Sequence, residues 1–494
     1  MVLAKLASHK PLNAMIKYLK SETAPFLVRE GNREVKIELL WGDQVQIESG
    51  PEEGFVTGWA RGRRGRIEER HLGDESLLEF YFIDVGQGDG VLVRMPDGRH
   101  ILVDGGYKRV SQPSGKNAAD FVDWKFAKDY RRDKIEIDVM VSSHPDADHY
   151  GGLWDLLNPN EVDELDLDTV SVGHFYHSGV SWWKKNGGAR TVGDIENGLL
   201  TTLLEDNAHV SQTEAGDATW KLQGDWGSFI RLVNNLGIPI TRLYHEDGMP
   251  VKMLPEFQDD VKVSILGPIQ FKKEELKGYK AFNSPSLITN GHSVALRFDY
   301  GDFRLLLTGD LNAASQKLLL ESHRGTVFQS DVTKACHHGS DDCSLDFLQH
   351  IQAGATVISS GDSEGHDHPR PAIVAASALT GFLQAENDKL VTPLVYSTEI
   401  SRSYKLGKPT QIVAKHDGEE TTYQNMREVK VNYNEVSAGD LNPSRKSRTA
   451  DRLYVVGGIV YGLVNVRTNG KKIICATLNE NSAEWQVRTF KARF

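Results

Sequence analysis

The sequence predicts an α/β fold, on three observations. Short strand-like runs such as "LLEFYFIDVG" and "GVLVRM" are apolar nearly throughout, which suits strands buried on both faces. Helix-like stretches alternate with them. His, Asp and Gly gather just after the strand ends, where α/β proteins tend to place their chemistry.

With 494 residues the chain exceeds one ordinary core, so two or three domains are expected. Hydrophobic residues at 39% and charged residues at 25% are ordinary for a globular protein. No apolar run approaches bilayer-spanning length and no secretory apolar stretch opens the chain, so stable membrane insertion is not expected. Cys336, Cys343 and Cys475 do not make a disulfide framework, which favours a reducing cytoplasm. The net charge of −11 argues against a general nucleic-acid coat protein. A nuclease stays open, because bound cations and local basic patches can offset a global negative charge.

The elements follow in chain order. Met1 to Lys20 is mildly basic and reads as a short amphipathic helix, docked on its own domain in preference to a membrane surface. Glu34 to Gly50 alternates like strands and ends in a Gly-Pro turn. "GFVTGWARGRRGRIEERHLG" adds a strand pair around a basic turn. Residues 1–75 are therefore expected to hold an N-terminal segment and a small β-barrel. "WARGRRGRI" resembles the end of bacterial SH3-like domains, which implies a protein partner for this part. Arg61, Arg63, Arg64 and Arg66 could touch phosphates, but acids balance them and a solvated hairpin tip is preferred.

Three strands are expected next: Leu78 to Ile83, Gly90 to Met95 and His100 to Val103, the last two joined by a "PDG" turn. Two acidic, glycine-rich loops, "DVGQGDG" and "VDGG", follow strand ends. A helix near Ala118 to Tyr130 precedes the strand "IEIDVMVSS". The loop "SSHPDADHYGG", Ser142 to Gly152, comes directly after that strand and just before a helix start.

This loop has the form His-x-Asp-x-Asp-His. Imidazole and carboxylate together suit zinc, manganese or iron. A tight loop of alternating ligands can serve two ions about 3.5–4 Å apart, with His144 and Asp146 facing one ion and Asp148 and His149 the other. The alternative, an aspartate-rich turn capping the next helix, leaves both histidines unexplained. Further pieces complete such a site at other strand ends. "LLLTGDL" ends at Asp310, a carboxylate that could bridge both ions. "DVTKACHHGSDDCS" carries His337, His338, Gly339 and Ser340, and "ATVISSGDSEGHDHPRP" carries His366 and His368.

Taken in order, "FIDVGQGDGVLV", "ILVDGG", "SHPDADHYGGL", "LLLTGDL", "HHGSDDCS" and "SSGDSEGHDHPRP" resemble metallo-β-lactamase-fold hydrolases of the ComEC-like subgroup. ComEC-type competence proteins carry such a domain on a membrane channel; this chain resembles the hydrolase without the channel. The resemblance runs from Leu77 to the region after Pro371. It implies a four-layer αββα sandwich over residues 76–415 and two divalent ions, zinc or manganese. His144, Asp146, Asp148 and His149 fill the main metal motif, with Asp146 where many relatives have histidine. Asp310 matches the bridging aspartate. One histidine of "HHGS" matches the last ligand: His337 is favoured, with His338 as rival or as a substrate contact. Asp104 matches the acid that supports the ligands from behind, His368 a histidine facing the substrate phosphate, and Gln87 and Asp89 the loop beside the site.

Two departures stand out. Many relatives supply another metal histidine where this chain reads "TNGHSVALRF". ComEC-like members have an asparagine–serine pattern there, matched by Asn290 and Ser293, with His292 offset by one residue. Fewer nitrogens and more oxygens shift preference from zinc toward manganese, and both stay open. An insertion is also expected over about 158–260, with "GHFYHSGVSWWKK" inside it. Trp182 and Trp183 beside lysines suit base stacking as well as a buried strand end. His174 and His177 read first as structural, with His177 the better substrate-site candidate. Residues 416–494 are expected to form a β-rich extension, either a small domain or strands added to the core, with "SRKSRTADR" as a linker and "TNGKK" as a hairpin turn.

The expected chemistry is metal-dependent hydrolysis. Two cations polarise a phosphoryl or carbonyl oxygen and lower the pKa of a bridging water toward neutrality, giving a metal-bound hydroxide that attacks in line. Asp148, His338 and His368 are the catalytic candidates, the last two as charge stabilisers or proton donors. Gln87, Asn290, Ser293, Ser340 and His177 are the substrate-contact candidates. A phosphodiester, DNA or nucleotide, is the favoured substrate, mostly on the resemblance. The alternatives are hydrolysis of a small phosphoester or amide, and a binding or regulatory module with a vestigial metal site.

Overall fold

The computed structural model describes residues 15–111, 116–160, 164–361, 368–398, 405–407, 411–416, 419–424, 429–435, 444–450, 455–457, 463–479 and 484–494. Two large sheets pack face to face. The first has nine strands, in spatial order Ile240–Arg242, Val170–His177, Ile135–Ser142, His100–Val103, Val91–Arg94, Leu78–Phe82, Val464–Thr468, Lys472–Asn479 and Glu484–Lys491. Its first four strands run parallel and the remaining pairings are antiparallel. The second has six, in the order Val261–Gly267, Ala295–Tyr300, Phe303–Leu307, Val332–Lys334, Ala355–Ile358 and Leu394–Ser397.

The strand sequences explain the layers. In Leu78–Phe82 every residue is buried, and alternate side chains serve different cores. Leu78, Phe80 and Phe82 meet Phe298, Phe303 and Leu305 of the second sheet. Tyr81 faces the other way, into helices Ala118–Trp124, Ala147–Leu157 and Gly224–Asn235. Helices Ala313–Ser322 and Leu345–Ile351 cover the outer face of the second sheet through Leu318, Leu319, Phe347 and Leu348. The result is helix, sheet, sheet, helix, a mixed α/β architecture.

The N-terminal part is a separate seven-stranded antiparallel sheet between Met15 and Gly73. Its strands alternate in burial, as in Phe55–Ala60, and Phe26, Leu39, Val45, Val56 and Ile67 form its own core. Met15–Leu19, expected within a helix, is a strand paired with Gln44–Ile47 and Leu72–Gly73; that pairing overrides a weak amphipathic pattern. Residues 1–14 lie outside the described residues. Arg63, Arg64 and Arg66 pair with Glu30, Glu48 and Glu34, as the solvated hairpin reading has it. Arg61 instead lies over the Trp485 ring, 4.9 Å from its centroid.

Three further differences have physical causes. The helix expected to Tyr130 is α-helical only to Trp124 and then widens into a π turn over Lys125–Asp129, where the buried Lys125 and Asp129 pair at 2.5 Å. The insertion expected over 158–260 is narrower, because Val170–His177 and Ile240–Arg242 belong to the nine-stranded sheet. The segment "SRKSRTADR", expected as a linker, contains the strand Ser444–Ala450, paired with Val429–Glu435. Beyond it, Val464–Lys491 adds three strands beside Leu78–Phe82, and the "TNGKK" turn holds Gly470 at φ 86°. Among the described residues no helix is long and apolar enough to cross a membrane.

Candidate metal centre

The two sheets meet at one end, where the Val294 amide donates to the Ser143 carbonyl at 2.9 Å. Loops from both sheets converge there. Ile135–Ser142 leads into His144–His149, Phe303–Leu307 into Asp310, and Val332–Lys334 into the two adjacent histidines. Backbone packing is tight. A Cβ at Gly152 would lie 2.0 Å from the Gly105 carbonyl oxygen, so glycine lets the helix after the metal loop approach the "VDGG" turn. Gly88, at φ 113°, would put a Cβ 1.9 Å from the Asp148 carbonyl oxygen.

Asp310 is the focus. Its Oδ2 lies 3.0 Å from His338 Nε2, 3.3 Å from His149 Nε2, 3.9 Å from His337 Nε2 and 4.0 Å from His144 Nε2. Asp148 stands 3.5 Å from His338 Nε2 and 3.9 Å from His149 Nε2. Two sets, His144 with His149 and Asp310, and Asp148 with His149 and His338, have ligand atoms within 4.8 Å of one another. Two more sets join Asp89 to Asp310 and His338, and Asp89 to Asp104 and His149.

Each central ring is oriented from behind. Asp104 accepts from His149 Nδ1 at 3.0 Å and from the Ser143 amide at 2.7 Å. The Ser359 carbonyl lies 3.2 Å from His338 Nδ1. Ser143 Oγ and Ser293 Oγ lie 3.0 and 3.3 Å from His144 Nδ1. The three Nε2 atoms then point into shared space without a hydrogen-bond partner, as does Asp310 Oδ1. Buried polar atoms are rarely left so, and three imidazole nitrogens facing carboxylates fit a divalent cation.

The electrostatics agree. Burial opposes charge on His149 and His338, but Asp310 and its acidic neighbours outweigh it and raise both well above the ordinary histidine value. Burial likewise opposes ionisation of Asp310, yet His338 and His149 hold its carboxyl well below the usual range. A field that retains protons on these rings also attracts a cation in their place.

Other expected residues are placed less centrally. His337, favoured as the ligand, is a quarter exposed, with Nε2 3.4 Å from Asn290 Nδ2, whereas its rival His338 is buried inside the cluster. Both have left-handed backbone, at φ 47° and 53°, which throws adjacent rings apart. Asp146 is at the mouth, its Oδ2 3.6 Å from His144 Nε2, outside the tight sets. Gln87 Nε2 reaches Asp148 at 3.5 Å. The His368 ring centroid lies 5.9 Å from that of His337 and 6.3 Å from that of His338, while His366 lies outside the described residues. Ser293 also accepts from the Asp310 amide at 3.0 Å. Ser340 accepts from the Asp342 amide at 3.2 Å, which makes it part of the loop's own turn.

His177 is not drawn into the cluster. It is buried, accepts from the Gly179 amide at 3.0 Å and packs beside Phe175 and Trp226. His174 stacks on Tyr176, and His292 turns away to the Lys280 carbonyl at 2.9 Å. Trp183 is fully buried, and Trp182 is partly exposed under the Arg190 guanidinium.

Sequence reasoning missed Lys334. Its buried ammonium pairs with Asp89, donates to the Gly309 carbonyl at 3.0 Å and lies 3.6 Å from Asp310 Oδ1. The signal was a lysine inside a short strand whose other residues are uncharged, just ahead of the histidine pair.

Residues 83–188 match the metallo-beta-lactamase superfamily, so the chain carries a metallo-beta-lactamase domain. That span includes the His144–His149 loop; Asp310 and His338 join it through the fold. The chain is 28% identical over 120 residues to the competence protein ComA of Neisseria gonorrhoeae, covering 24% of this chain and 17% of that protein. It is 20% identical over 307 residues to ComE operon protein 3 of Bacillus subtilis (strain 168), covering 60% of this chain and 30% of that one. This weak homology is of the ComEC-like kind, and the chain spans less than a third of each relative's length. A solved metal-dependent hydrolase of the beta-lactamase superfamily aligns with a TM-score of 0.31 at 8% identity, covering 65% of this chain and 95% of that chain.

Proposed function

We propose that the chain is a metal-dependent phosphodiesterase acting on DNA or nucleotides. The observation that carries the reading is the set of three buried, partnerless imidazole nitrogens around the Asp310 carboxylate. His144, His149, His338, Asp148 and Asp310 would hold two divalent cations, zinc or manganese, and Asp146 stands at the mouth. Bound cations supply Lewis-acid polarisation of a phosphoryl oxygen and a nucleophile near neutral pH.

The chain's own groups do the rest. Asp104, Ser359, Ser143 and Ser293 fix the rings so that little reorganises during reaction. Lys334 offsets part of the acidic charge. His337, His368 and Asn290 border the mouth and can donate hydrogen bonds to a phosphate or its leaving oxygen. Similarity to a competence protein supports DNA context.

The test is hydrolysis after removal and refilling with manganese or zinc, on single-stranded DNA, double-stranded DNA and bis-p-nitrophenyl phosphate. Metal-dependent cleavage that vanishes in Asp148→Ala/Asp310→Ala is expected. Cleavage of the small ester alone moves the substrate to small phosphodiesters. No turnover on any of them overturns the reading.

A further inference from the structure

The segment between Val170–His177 and Ile240–Arg242 holds a three-stranded antiparallel sheet of Arg190–Thr191, Trp183–Lys185 and Trp220–Leu222. Register places Arg190 opposite Lys184, and Lys184 opposite Lys221. Directly opposed residues share a face, so three cations stand in one transverse row about 10 Å long. The next register position carries Trp183 and Leu222, both buried, and faces the core.

Like charges opposed on a sheet repel. No carboxylate pairs with Arg190, Lys184 or Lys221 among the described residues. Their neighbours are treated differently: Lys185 pairs with Asp194, Arg231 with Glu214, and Lys108 with Asp225. The chain has an excess of acids, with a net charge of −11, yet leaves this row unpaired. A cleft of about 550 Å³ borders its two lysines, lined by Lys184, Lys221, Asn186 and Gln223, with Asp217 on its wall. At the row's end the Arg190 guanidinium lies 4.0 Å over the ring of the partly exposed Trp182.

A relay of contacts runs from the metal loop to Trp182 at the end of the row. Tyr150 follows His149, and its ring centroid lies 5.3 Å from that of Trp226. Trp226 donates to Ser181 at 3.1 Å, and the next residue is Trp182.

We propose that this face binds the sugar-phosphate backbone of single-stranded nucleic acid, with Arg190, Lys184 and Lys221 on phosphates and Trp182 stacking on a base. Its link to catalysis rests on the phosphodiesterase reading; binding itself does not. Unpaired cations beside a partly exposed aromatic are what a strand needs, since phosphates supply the charge and every base offers a stacking face.

The test uses the full chain with a dye-labelled oligothymidylate and an oligouridylate, with metal and in EDTA, across a salt series. In Arg190→Gln/Lys184→Gln/Lys221→Gln the dissociation constant is expected to rise about tenfold, and the salt slope to flatten by about 2 for three single-strand phosphate contacts. Trp182→Leu is expected to weaken oligonucleotide binding but not inorganic polyphosphate binding. The two oligomers separate DNA from RNA as the source of the phosphates. The ratio of polymer to small-ester cleavage falls with the triple variant. Unchanged oligonucleotide affinity and slope in a folded triple variant would overturn the proposal. So would polyphosphate binding as tightly as oligonucleotide with no effect of Trp182→Leu. If no ester is cleaved but the row still governs binding, the phosphodiesterase reading fails and this site stands.

Discussion

The ammonium of Lys334 pairs with the carboxylate of Asp89 beneath the metal centre, with both side chains all but sealed from solvent. Asp89 also lies 3.2 Å from His338 Nδ1, so the pair helps to set the ring that faces Asp310. Lys334→Met leaves a buried carboxylate without its partner and is expected to cost about 3–5 kcal/mol. Urea unfolding of the metal-free protein measures it. Asp89→Asn added to Lys334→Met should recover part of the loss, a coupling that a double-mutant cycle reads. A single-variant loss under about 1 kcal/mol would show the pair to be dispensable.

The choice between the two adjacent histidines is testable by metal titration. His338→Ala is expected to lower manganese and zinc affinity by more than about 100-fold, and His337→Ala by less than about threefold, with the latter losing turnover instead. Calorimetry separates the two. The reverse pattern would return the ligand role to His337.

Asp104 grips His149 from behind. Asp104→Asn keeps an acceptor for the Ser143 amide but removes the negative charge beside His149 Nδ1. Metal affinity is expected to fall about 10–100-fold with the fold retained. An unchanged titration curve would mean that the ring needs no orienting acid.

Acid should destabilise the molecule through histidines outside the centre. Burial presses His292 down to about 4, only partly opposed by its hydrogen bond to the Lys280 carbonyl. The unfolded chain therefore binds a proton near pH 6.5 that the folded chain refuses until about pH 4. The stability contribution is full above pH 6.5 and is lost as pH falls toward 4. Between pH 7 and pH 5 the loss is about 2 kcal/mol. His292→Gln should flatten that portion of the curve, read as the difference in urea midpoints between the two pH values. Parallel curves for variant and parent would count against a neutral buried His292.

Much of this was legible in the sequence, for stated reasons. Leu78–Phe82 announced itself as a doubly buried strand because all its residues but Glu79 are apolar, whereas Ile135–Ser142 keeps Glu136 and Asp138 half-buried. The His144–His149 loop was legible because so many metal-capable groups in one turn serve little else. What stayed hidden depends on distance or direction. No periodicity says which of two adjacent rings in left-handed backbone points inward, so the choice between His337 and His338 was not legible. The Lys334–Asp89 pair joins a strand of one sheet to a loop of the other. Val170–His177 looked like part of an insertion because its membership of the sheet depends on parallel pairing with Ile135–Ser142, a partner that no local pattern names. Met15–Leu19 became a strand because two other strands were there to receive it.

The placement of Val464–Lys491 beside Leu78–Phe82 has a consequence for synthesis on the ribosome. Val466 lies opposite Phe80, so the strand that leads into the Asp89 loop waits with a bare hydrogen-bonding edge until almost the whole described chain has emerged. Such long-range pairing is slow, and an unpaired apolar edge invites association with other chains. The hazard in making this protein thus lies in the nascent chain: release before residue 464 would leave a nearly complete centre on an unfinished sheet.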